Sequence, residues 1–327
     1  MYNKAISYKI THMEVNMTKA LILAITSSFF FSFTFLLNEQ MTISGGSWLW
    51  SSSLRYIFML PILFIIMIVK NQLHEVIDDI KKKPVEWILW STIGFGVFYA
   101  PLSFASSYGA SWLVAGTWQL TIIAGALMSP LFYTTVETSN GISKVRNKIP
   151  KNFLLISSIM LLGIFLMHFS EIKSQANLAS ILGIIPVIIA AFAYPLGNRK
   201  MIEVCENKFT TFQRVFGMTL CSMPFWIIIS ASGLLSVGLP SKGQVLQSLI
   251  VAIFSGVIAT ILFFKATDIV SKNSNQLAVI ESIQSGEVVF TVLGGIIFFN
   301  DTLPSTISLI GLILVVLGMI LNSFIKS

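Results

Sequence analysis

The sequence predicts an all-α, polytopic membrane protein in which ten transmembrane helices form two inverted five-helix repeats. Hydrophobic residues make up 55% of the chain and charged residues only 11%, against about 25% charged residues in an ordinary soluble domain. Apolar runs of about 20 residues recur along the chain, which is the length that a helix needs to cross a bilayer. Short segments also recur about 160 residues apart, which indicates a duplication.

Ten segments are long and apolar enough to be transmembrane helices. Helices are favoured over strands because the runs lack the alternation typical of a barrel wall, and because a helix satisfies its own backbone hydrogen bonds in lipid. The predicted spans are 19–37, 48–69, 87–108, 111–133, 152–169, 178–197, 209–232, 245–267, 276–298 and 305–325. The loops between them are too short for a soluble catalytic domain.

Lysine and arginine residues set the predicted orientation. With both termini in the cytoplasm, most of the 21 basic residues lie on the cytoplasmic side, and the outer loops hold only Lys173 and Lys242. This bias follows the positive-inside rule. We therefore expect a multi-pass protein of a bacterial plasma membrane. The net charge of +7 reflects that topology, because no basic stripe lies on a soluble domain, and a nucleic-acid partner is not expected.

Matches about 160 residues apart indicate that a unit of five spans is duplicated. The matched pairs include Asn38 with Asn198, Arg55 with Arg214, Gly96 with Gly256, and Gln119 with Gln284. Because each unit crosses the membrane an odd number of times, the second copy is upside down relative to the first. Accordingly, Glu39 beside the first asparagine is replaced by Arg199 beside the second, as expected if these ends face opposite sides.

The predicted organisation is one membrane domain in three parts. Residues 1–17 are an N-terminal cytoplasmic extension, residues 18–151 are the first five-helix repeat, and residues 152–327 are the second. Inverted repeats occur in many secondary transporters, where the solute site lies near the membrane midplane between the halves. Two packings of similar energy, open to opposite sides, would then provide alternating access.

The closing run GGIIFFNDTLPSTISLIGLILVVLGMIL, residues 294–321, resembles the last two helices of the drug/metabolite transporter superfamily, in its ten-helix EamA-like and multidrug-resistance-efflux branch. Asp301, Gly311 and Gly318 match the acidic loop residue and the glycine-spaced helix of that family. With the five-plus-five spans, the resemblance covers about residues 18 to 325. It implies a ten-helix carrier with a central cavity, lined largely by the third, fourth, eighth and ninth helices.

Polar residues of the ninth span form the first part of the predicted solute site. Glu281, Gln284, Glu287 and Thr291 lie within an arc of about 120° on a helical wheel. Glu287 lies roughly 16 Å from the cytoplasmic end of the span, where desolvation makes a protonated state accessible. We expect Glu287 to bind either a proton or a cationic group of the solute, and to release one when it binds the other. The alternative is a structural carboxylate, paired with Arg214, Arg55 or a helix end.

Aromatic and polar residues of the third and fourth spans complete the predicted site. Tyr99, Trp118 and Gln119 join Gln284, Glu287 and Thr291 as candidate substrate-binding residues. Aromatic rings beside a carboxylate suit flat or cationic organic solutes through cation–π attraction, although ordinary packing would also explain them.

We expect four charged residues near the ends of the spans to have structural roles. Glu281 is expected to pair with Lys265 at the cytoplasmic mouth. Arg55 and Arg214 occupy matched places in the second span of each half. Their repetition favours a shared role in the fold, such as snorkelling or capping a neighbouring helix end.

The sequence favours a transporter over an enzyme. It contains no HExxH helix, P-loop or G-x-S-x-G elbow, and no metal or cofactor is expected. We expect export of small organic compounds, amphipathic or cationic drugs or metabolites, by alternating access. The alternative is an exchanger or facilitator of a metabolite, such as an amino acid or a nucleobase, without proton coupling. The expected partners are the solute, the lipid bilayer and protons, with no obligate protein partner.

One feature departs from the family pattern. Half-sized multidrug-resistance relatives carry a glutamate inside the first helix as their shared proton and drug site. The first span here, ALILAITSSFFFSFTFLL, has no acidic residue. If proton antiport occurs, the acids of the ninth span must supply it.

Overall fold

The computed structural model describes residues 2–138, 141–149, 151–174, 178–206, 208–270, 276, 279–280 and 283–323, which contain eleven helices and one β-hairpin. The helices are α1 Tyr2–Ile43, α2 Trp48–Val69, α3 Leu73–Lys82, α4 Pro84–Ala105, α5 Ser111–Leu127, α6 Lys151–Ser174, α7 Leu178–Cys205, α8 Thr211–Val237, α9 Lys242–Val270, α10 Gly286–Phe299 and α11 Thr306–Ser323. In the hairpin, β1 Tyr133–Thr138 pairs antiparallel with β2 Gly141–Arg146.

The prediction of a helical membrane protein is confirmed, because within the described residues each of the ten predicted spans overlaps a helix. Among the described residues, α1, α2, α4, α7, α8 and α9 are long and apolar enough to cross a membrane, and α5, α6, α10 and α11 contain shorter apolar helices. Large apolar side chains cover the outside of the bundle, including Leu235 and Phe298, while Ser52, Thr219 and Ser222 are buried inside it. This distribution is expected for a bundle whose outer surface faces lipid and whose interior contains polar side chains.

Two features depart from the all-α prediction of ten helices with short loops. The hairpin β1–β2 follows α5, which ends at Leu127 and not at residue 133. Its first strand, YTTVET, is rich in β-branched and aromatic residues that favour a strand once the chain has left the apolar run. Helix α3 was not predicted because it is polar, with Val76 as its buried residue.

Hydroxyl side chains define where several helices begin. The side chains of Ser47, Thr210 and Ser241 accept hydrogen bonds from backbone N–H groups in the first turns of α2, α8 and α9. At α8, Gln213 completes a capping box with Thr210. Such caps satisfy N–H groups that have no partner within the helix.

Four of the helices are interrupted, at places that match between the two predicted repeats. Helices α4 and α9 each contain a π-helical stretch, Thr92–Val97 and Ala252–Ala259. Helix α5 is broken at Gln119, between Trp118 and Leu120, and α10 begins immediately after a turn at Gln284 and Ser285. Interruptions of this kind commonly occur at functional sites.

Most of the helix packing joins helices that are far apart in the sequence. Helix α2 packs along α8 and α6 along α11, while α1 packs on α9 and α10, and α7 packs on α4 and α5. Tyr56 of α2 stacks on Trp226 of α8, with ring centroids 4.4 Å apart. Gly311 of α11 faces the backbone of Gly163 in α6, and Gly318 faces Met160. Small residues therefore permit close helix approach within the chain.

Candidate functional site

A central cavity lies among α1, α2, α4, α5, α7, α9 and the start of α10. It is lined by Phe31, Thr34, Phe35, Arg55, Tyr56, Met59, Phe95, Phe98, Leu102, Trp118, Tyr194, Thr260, Phe264, Gln284 and Glu287. Its volume is about 40 Å³, far below the roughly 300–1,000 Å³ of small-molecule pockets. In this structure the central cavity is therefore too small for an organic solute.

Glu287 and Gln119 meet at the two matched helix interruptions. The side chain of Glu287 is 1% exposed, and Nε2 of Gln119 donates to its Oε1 at 2.7 Å. The same nitrogen of Gln119 donates to the carbonyl oxygen of Ala115 at 3.1 Å. Glu287 lies in the first turn of α10, where the helix dipole favours a negative charge. The hydroxyl of Thr291 donates to the backbone oxygen of Glu287 at 2.6 Å.

Arg55 lies in the wall of the same cavity. It is 4% exposed, and its Nη1 and Nη2 donate to the hydroxyls of Thr34, at 2.9 Å, and Ser255, at 3.1 Å. These two hydroxyls also contact each other. The guanidinium carbon lies 4.1 Å from the centre of the Tyr99 ring, a cation–π contact. No carboxylate of the described residues forms an ion pair with Arg55.

Aromatic rings fill one side of the central cavity. The ring of Phe98 lies 4.9 Å from that of Trp118 and 4.8 Å from that of Tyr194. Trp118 and Tyr194 also contact each other, at 5.5 Å and nearly perpendicular. The cluster joins α4, α5 and α7, and it offers ring faces and edges to a flat or cationic group.

A second, larger cavity, here named the vestibule, lies next to the central cavity at one end of the bundle. It has a volume of about 490 Å³, in the range of small-molecule sites. Its wall includes the exposed Asp268 and Ile202, so it reaches the molecular surface. Tyr194, Phe264 and Gln284 line both cavities and form the partition between them.

Charged groups surround the vestibule. Arg199 donates from Nη1 to the carbonyl oxygen of Gly125 at 2.8 Å, and the guanidinium of Arg214 lies 4.8 Å from the centre of the Phe264 ring. Asp268 accepts a hydrogen bond from the hydroxyl of Thr211 at 2.7 Å. The wall of the vestibule therefore contains two arginines and one aspartate.

The surface at this end of the bundle is held by a small ion cluster. Glu206, just after α7, accepts hydrogen bonds from Lys208 at 2.5 Å and from Lys83 at 2.8 Å. These bonds lower the pKa of Glu206 to about 2. Lys83 also donates to the backbone oxygen of Val204 at 3.0 Å. The cluster ties the residue that precedes α4 to the end of α7.

At the opposite end the helices are joined by a seal, defined by Asn38, Glu39, Tyr99, Ser103 and Ser111. Nδ2 of Asn38 donates to the Tyr99 hydroxyl at 3.2 Å and to the Ser103 hydroxyl at 3.4 Å. Oε2 of Glu39 accepts from the backbone N–H of Ser111, at the start of α5, at 2.9 Å. These contacts connect α1 with α4 and α5 at that end.

The predicted substrate-binding residues lie in or beside the central cavity, but only some of them line it. Glu287, Gln284 and Trp118 line the central cavity. Gln119 and Thr291 support Glu287 through hydrogen bonds, and Tyr99 lies beneath Arg55 and in the seal.

The predicted structural charges are placed apart from one another. Arg55 is in the central cavity and Arg214 is in the vestibule. Lys265 is exposed, with Nζ 5.1 Å from the centre of the Phe212 ring. Glu281 lies outside the described residues, and so does its predicted pair with Lys265. The sequence interpretation missed the cavity positions of Arg55, Thr34 and Tyr194.

A bundle of apolar helices around a buried cavity that contains Arg55 and Glu287, with a vestibule at one end, is typical of membrane transport proteins. The chain belongs to the EmrE family, whose model carries the description "putative multidrug resistance efflux transporter" and matches residues 18–327. It is therefore a multi-pass membrane protein of a transporter family and not an enzyme.

Two bacterial relatives are similar over most of the chain. "Uncharacterized protein YjlA" of Bacillus subtilis is 49% identical over 306 residues, which cover 94% of each chain. "Uncharacterized 42.1 kDa protein in intracellular alkaline protease 3'region" of Shouchella clausii is 48% identical over 270 residues, which cover 82% of this chain and 70% of the relative.

Proposed function

We propose that this protein is a secondary active transporter that exports small organic compounds, amphipathic or cationic, by alternating access between two inverted five-helix repeats. The repeat arrangement is supported by the matched interruptions, π-helical in α4 and α9 and broken in α5 and near the start of α10. The packing also supports it. Helix α1 packs on α9 and α10, and its equivalent α7 packs on α4 and α5, which are the equivalents of α9 and α10.

The vestibule is assigned to the cytoplasmic side. Lys83, Arg199, Lys200 and Lys208 lie at that end of the chain's helices, which fits the positive-inside rule and cytoplasmic termini in a bacterial plasma membrane. In this orientation the structure is an inward-facing state, with the vestibule open and the seal closed. Export requires the reverse arrangement, in which the seal opens and the partition closes.

A single observation carries the proposal of proton coupling. Glu287 is buried in the cavity wall, and its hydrogen bond from Gln119 joins two interrupted helices. Burying an ionisable side chain inside the membrane costs free energy, so such a residue is by default a candidate for a functional site. A cation and a proton that compete for Glu287 would be carried in opposite directions.

Proton-driven flux of a cationic dye tests this function. Liposomes that contain the purified protein and have an acidic lumen should accumulate ethidium, because lumenal protons leave as the dye enters. The variant Glu287→Gln should lose this accumulation, because it cannot release a proton. The control Glu206→Gln, which changes an exposed carboxylate, should retain it. Accumulation by Glu287→Gln equal to that of the wild type would reject the coupling role.

A second candidate function is exchange of a metabolite, such as an amino acid, without proton coupling. The buried cation Arg55 in the central cavity favours it, because a permanent positive charge attracts a metabolite anion. In that case labelled amino acid should enter preloaded liposomes without a pH gradient, and Glu287→Gln should leave that exchange intact.

A further inference from the structure

We propose that Arg55 binds an anionic group of the solute, and that the site therefore takes amphoteric compounds with a carboxylate, an amine and an apolar or aromatic body. This inference rests on the proposed transport function and narrows its substrate class. The carboxylate of the solute is assigned to Arg55 and its amine to Glu287.

The hydrogen bonds of Arg55 leave part of its guanidinium free. The group has five N–H donors and cannot lose its charge in a protein. Neutral hydroxyls of Thr34 and Ser255 accept from Nη1 and Nη2. Nε is buried and has no hydrogen-bond partner among the described residues. A buried arginine with a free donor in a cavity wall can therefore bind an additional acceptor.

The charge of Arg55 is not neutralised by a contact within the described chain. The ion pairs of the described residues lie on the surface, and none includes Arg55. Burying a charge without an opposite charge is expensive. The Tyr99 ring at 4.1 Å offsets part of this cost, and a carboxylate of the solute would offset more through charge-assisted hydrogen bonds.

Glu287 gives the same cavity a group of opposite sign. Arg55 and Glu287 both line it, on helices α2 and α10. Arg55 repels a solute that carries only a positive charge, and Glu287 repels a solute that carries only a negative charge. An amphoteric solute compensates both charges at once, so the cavity favours it over either singly charged analogue.

The lining of the cavity indicates a solute with an aromatic or apolar body. The closed volume is about 40 Å³, so the partition formed by Tyr194, Phe264 and Gln284 must move to admit a solute from the vestibule. The rings of Phe98, Trp118 and Tyr194 supply a surface for its apolar part.

Three probes that differ by one charged group test the inference. L-Phenylalanine has both charges, phenethylamine lacks the carboxylate, and 3-phenylpropionate lacks the amine. We expect the purified full chain in nanodiscs to bind phenylalanine at least about ten-fold more tightly than either analogue, measured by calorimetric titration at pH 7. If the wild-type protein does not bind phenylalanine more tightly than phenethylamine, the inference is wrong.

Variants of the two matched arginines locate the effect. Arg55→Gln should abolish the preference for phenylalanine over phenethylamine, and Arg55→Lys should restore part of it. Arg214→Gln, which changes the vestibule, should retain the preference. Thermal unfolding of each variant shows whether it is folded. An unchanged preference in folded Arg55→Gln, or a loss equal in Arg55→Gln and Arg214→Gln, contradicts the inference.

The outcome is separable from that of the proposed transport function. Proton-driven ethidium accumulation measures coupling at Glu287 and requires no anionic group on the solute. If that accumulation is present and Arg55→Gln leaves the probe preferences unchanged, transport stands and the anion site is rejected. If accumulation is absent and the preference depends on Arg55, the anion site stands and export of cations that lack an anionic group is rejected.

Discussion

Gln119 and Glu287 together explain how a carboxyl group is held inside a membrane bundle. Gln119 lies at a break in α5, and its side-chain nitrogen donates both to Glu287, at 2.7 Å, and to the carbonyl oxygen of Ala115, at 3.1 Å. The amide is therefore fixed by its own helix before it meets the carboxyl group. A buried acceptor that loses its donor costs about 1–3 kcal/mol. Gln119 is thus a positioning residue for Glu287.

Replacing Gln119 by leucine should lower the free energy of unfolding by about 1–3 kcal/mol, because Glu287 keeps its burial and loses its donor. Denaturation in detergent micelles at pH 7 measures this loss. The double variant Gln119→Leu with Glu287→Leu should lose less than the sum of the two single variants, because both partners are then apolar. Strictly additive losses would show that the two side chains are not coupled.

The polar residues of the ninth and fourth predicted spans could be found from sequence, because an acid or amide in an apolar run stands out. The position of Arg55 could not be found in this way. Its partners Thr34 and Ser255 lie on α1 and α9, and the pattern of α2 does not say which helices face it. One usable signal was present, since cavity residues Thr34 and Tyr194 lie about 160 residues apart, the spacing of the repeat.

At the scale of helices, the interruptions place the site. The π-helical stretches Thr92–Val97 and Ala252–Ala259 contain the matched glycines Gly96 and Gly256, so their equivalence was visible in the sequence. The break of α5 was not, because Trp118, Gln119 and Leu120 have ordinary helix propensities. Apolar runs do not indicate α3 or the hairpin β1–β2, because neither element contains one.

Close contact between α4 and α7 depends on Gly197. A Cβ atom added there would overlap the backbone of Gly94, and backbone atoms cannot rotate away as a flexible side chain can. Gly197→Ala should therefore lower stability by about 1–3 kcal/mol, the usual cost of overpacking. Thermal unfolding of the purified protein, followed by size-exclusion chromatography after heating, measures the change.

Gly183 of the same helix is the matched control. The nearest atoms to a Cβ added at Gly183 belong to Tyr108, at 3.8 Å, which is an ordinary contact. Gly183→Ala should keep the stability or raise it by up to about 1 kcal/mol, because alanine is the better helix former. Equal destabilisation by both substitutions would mean that the α4–α7 contact is not the cause.

At the scale of the whole molecule, the two ends of the bundle are unequal. The vestibule is open beside Arg199 and Arg214, whereas the seal joins Asn38 and Glu39 to α4 and α5. Under the proposed two-fold relation, Asn198 and Arg199 at the vestibule are the counterparts of Asn38 and Glu39 at the seal. The two ends make different contacts, since Asn38 and Glu39 bond to α4 and α5, whereas Asn198 bonds within its own helix and Arg199 bonds to Gly125 of α5. Such an asymmetry is expected for one of two alternate states.

The inverted relation predicts that equivalent residues of the two halves face opposite sides of the membrane. Ser44, after α1, and Glu203, in the last turn of α7, are both exposed and lie about 160 residues apart. The native cysteines, Cys205 and Cys221, are buried and can be replaced by serine. In intact cells a membrane-impermeant maleimide should label Ser44→Cys, and it should label Glu203→Cys only after the membrane is permeabilised. Because an odd number of crossings separates the two positions in an inverted repeat, labelling of both cysteines from the same side would rule out that arrangement. It would also remove the reason to expect two equivalent states of the transporter.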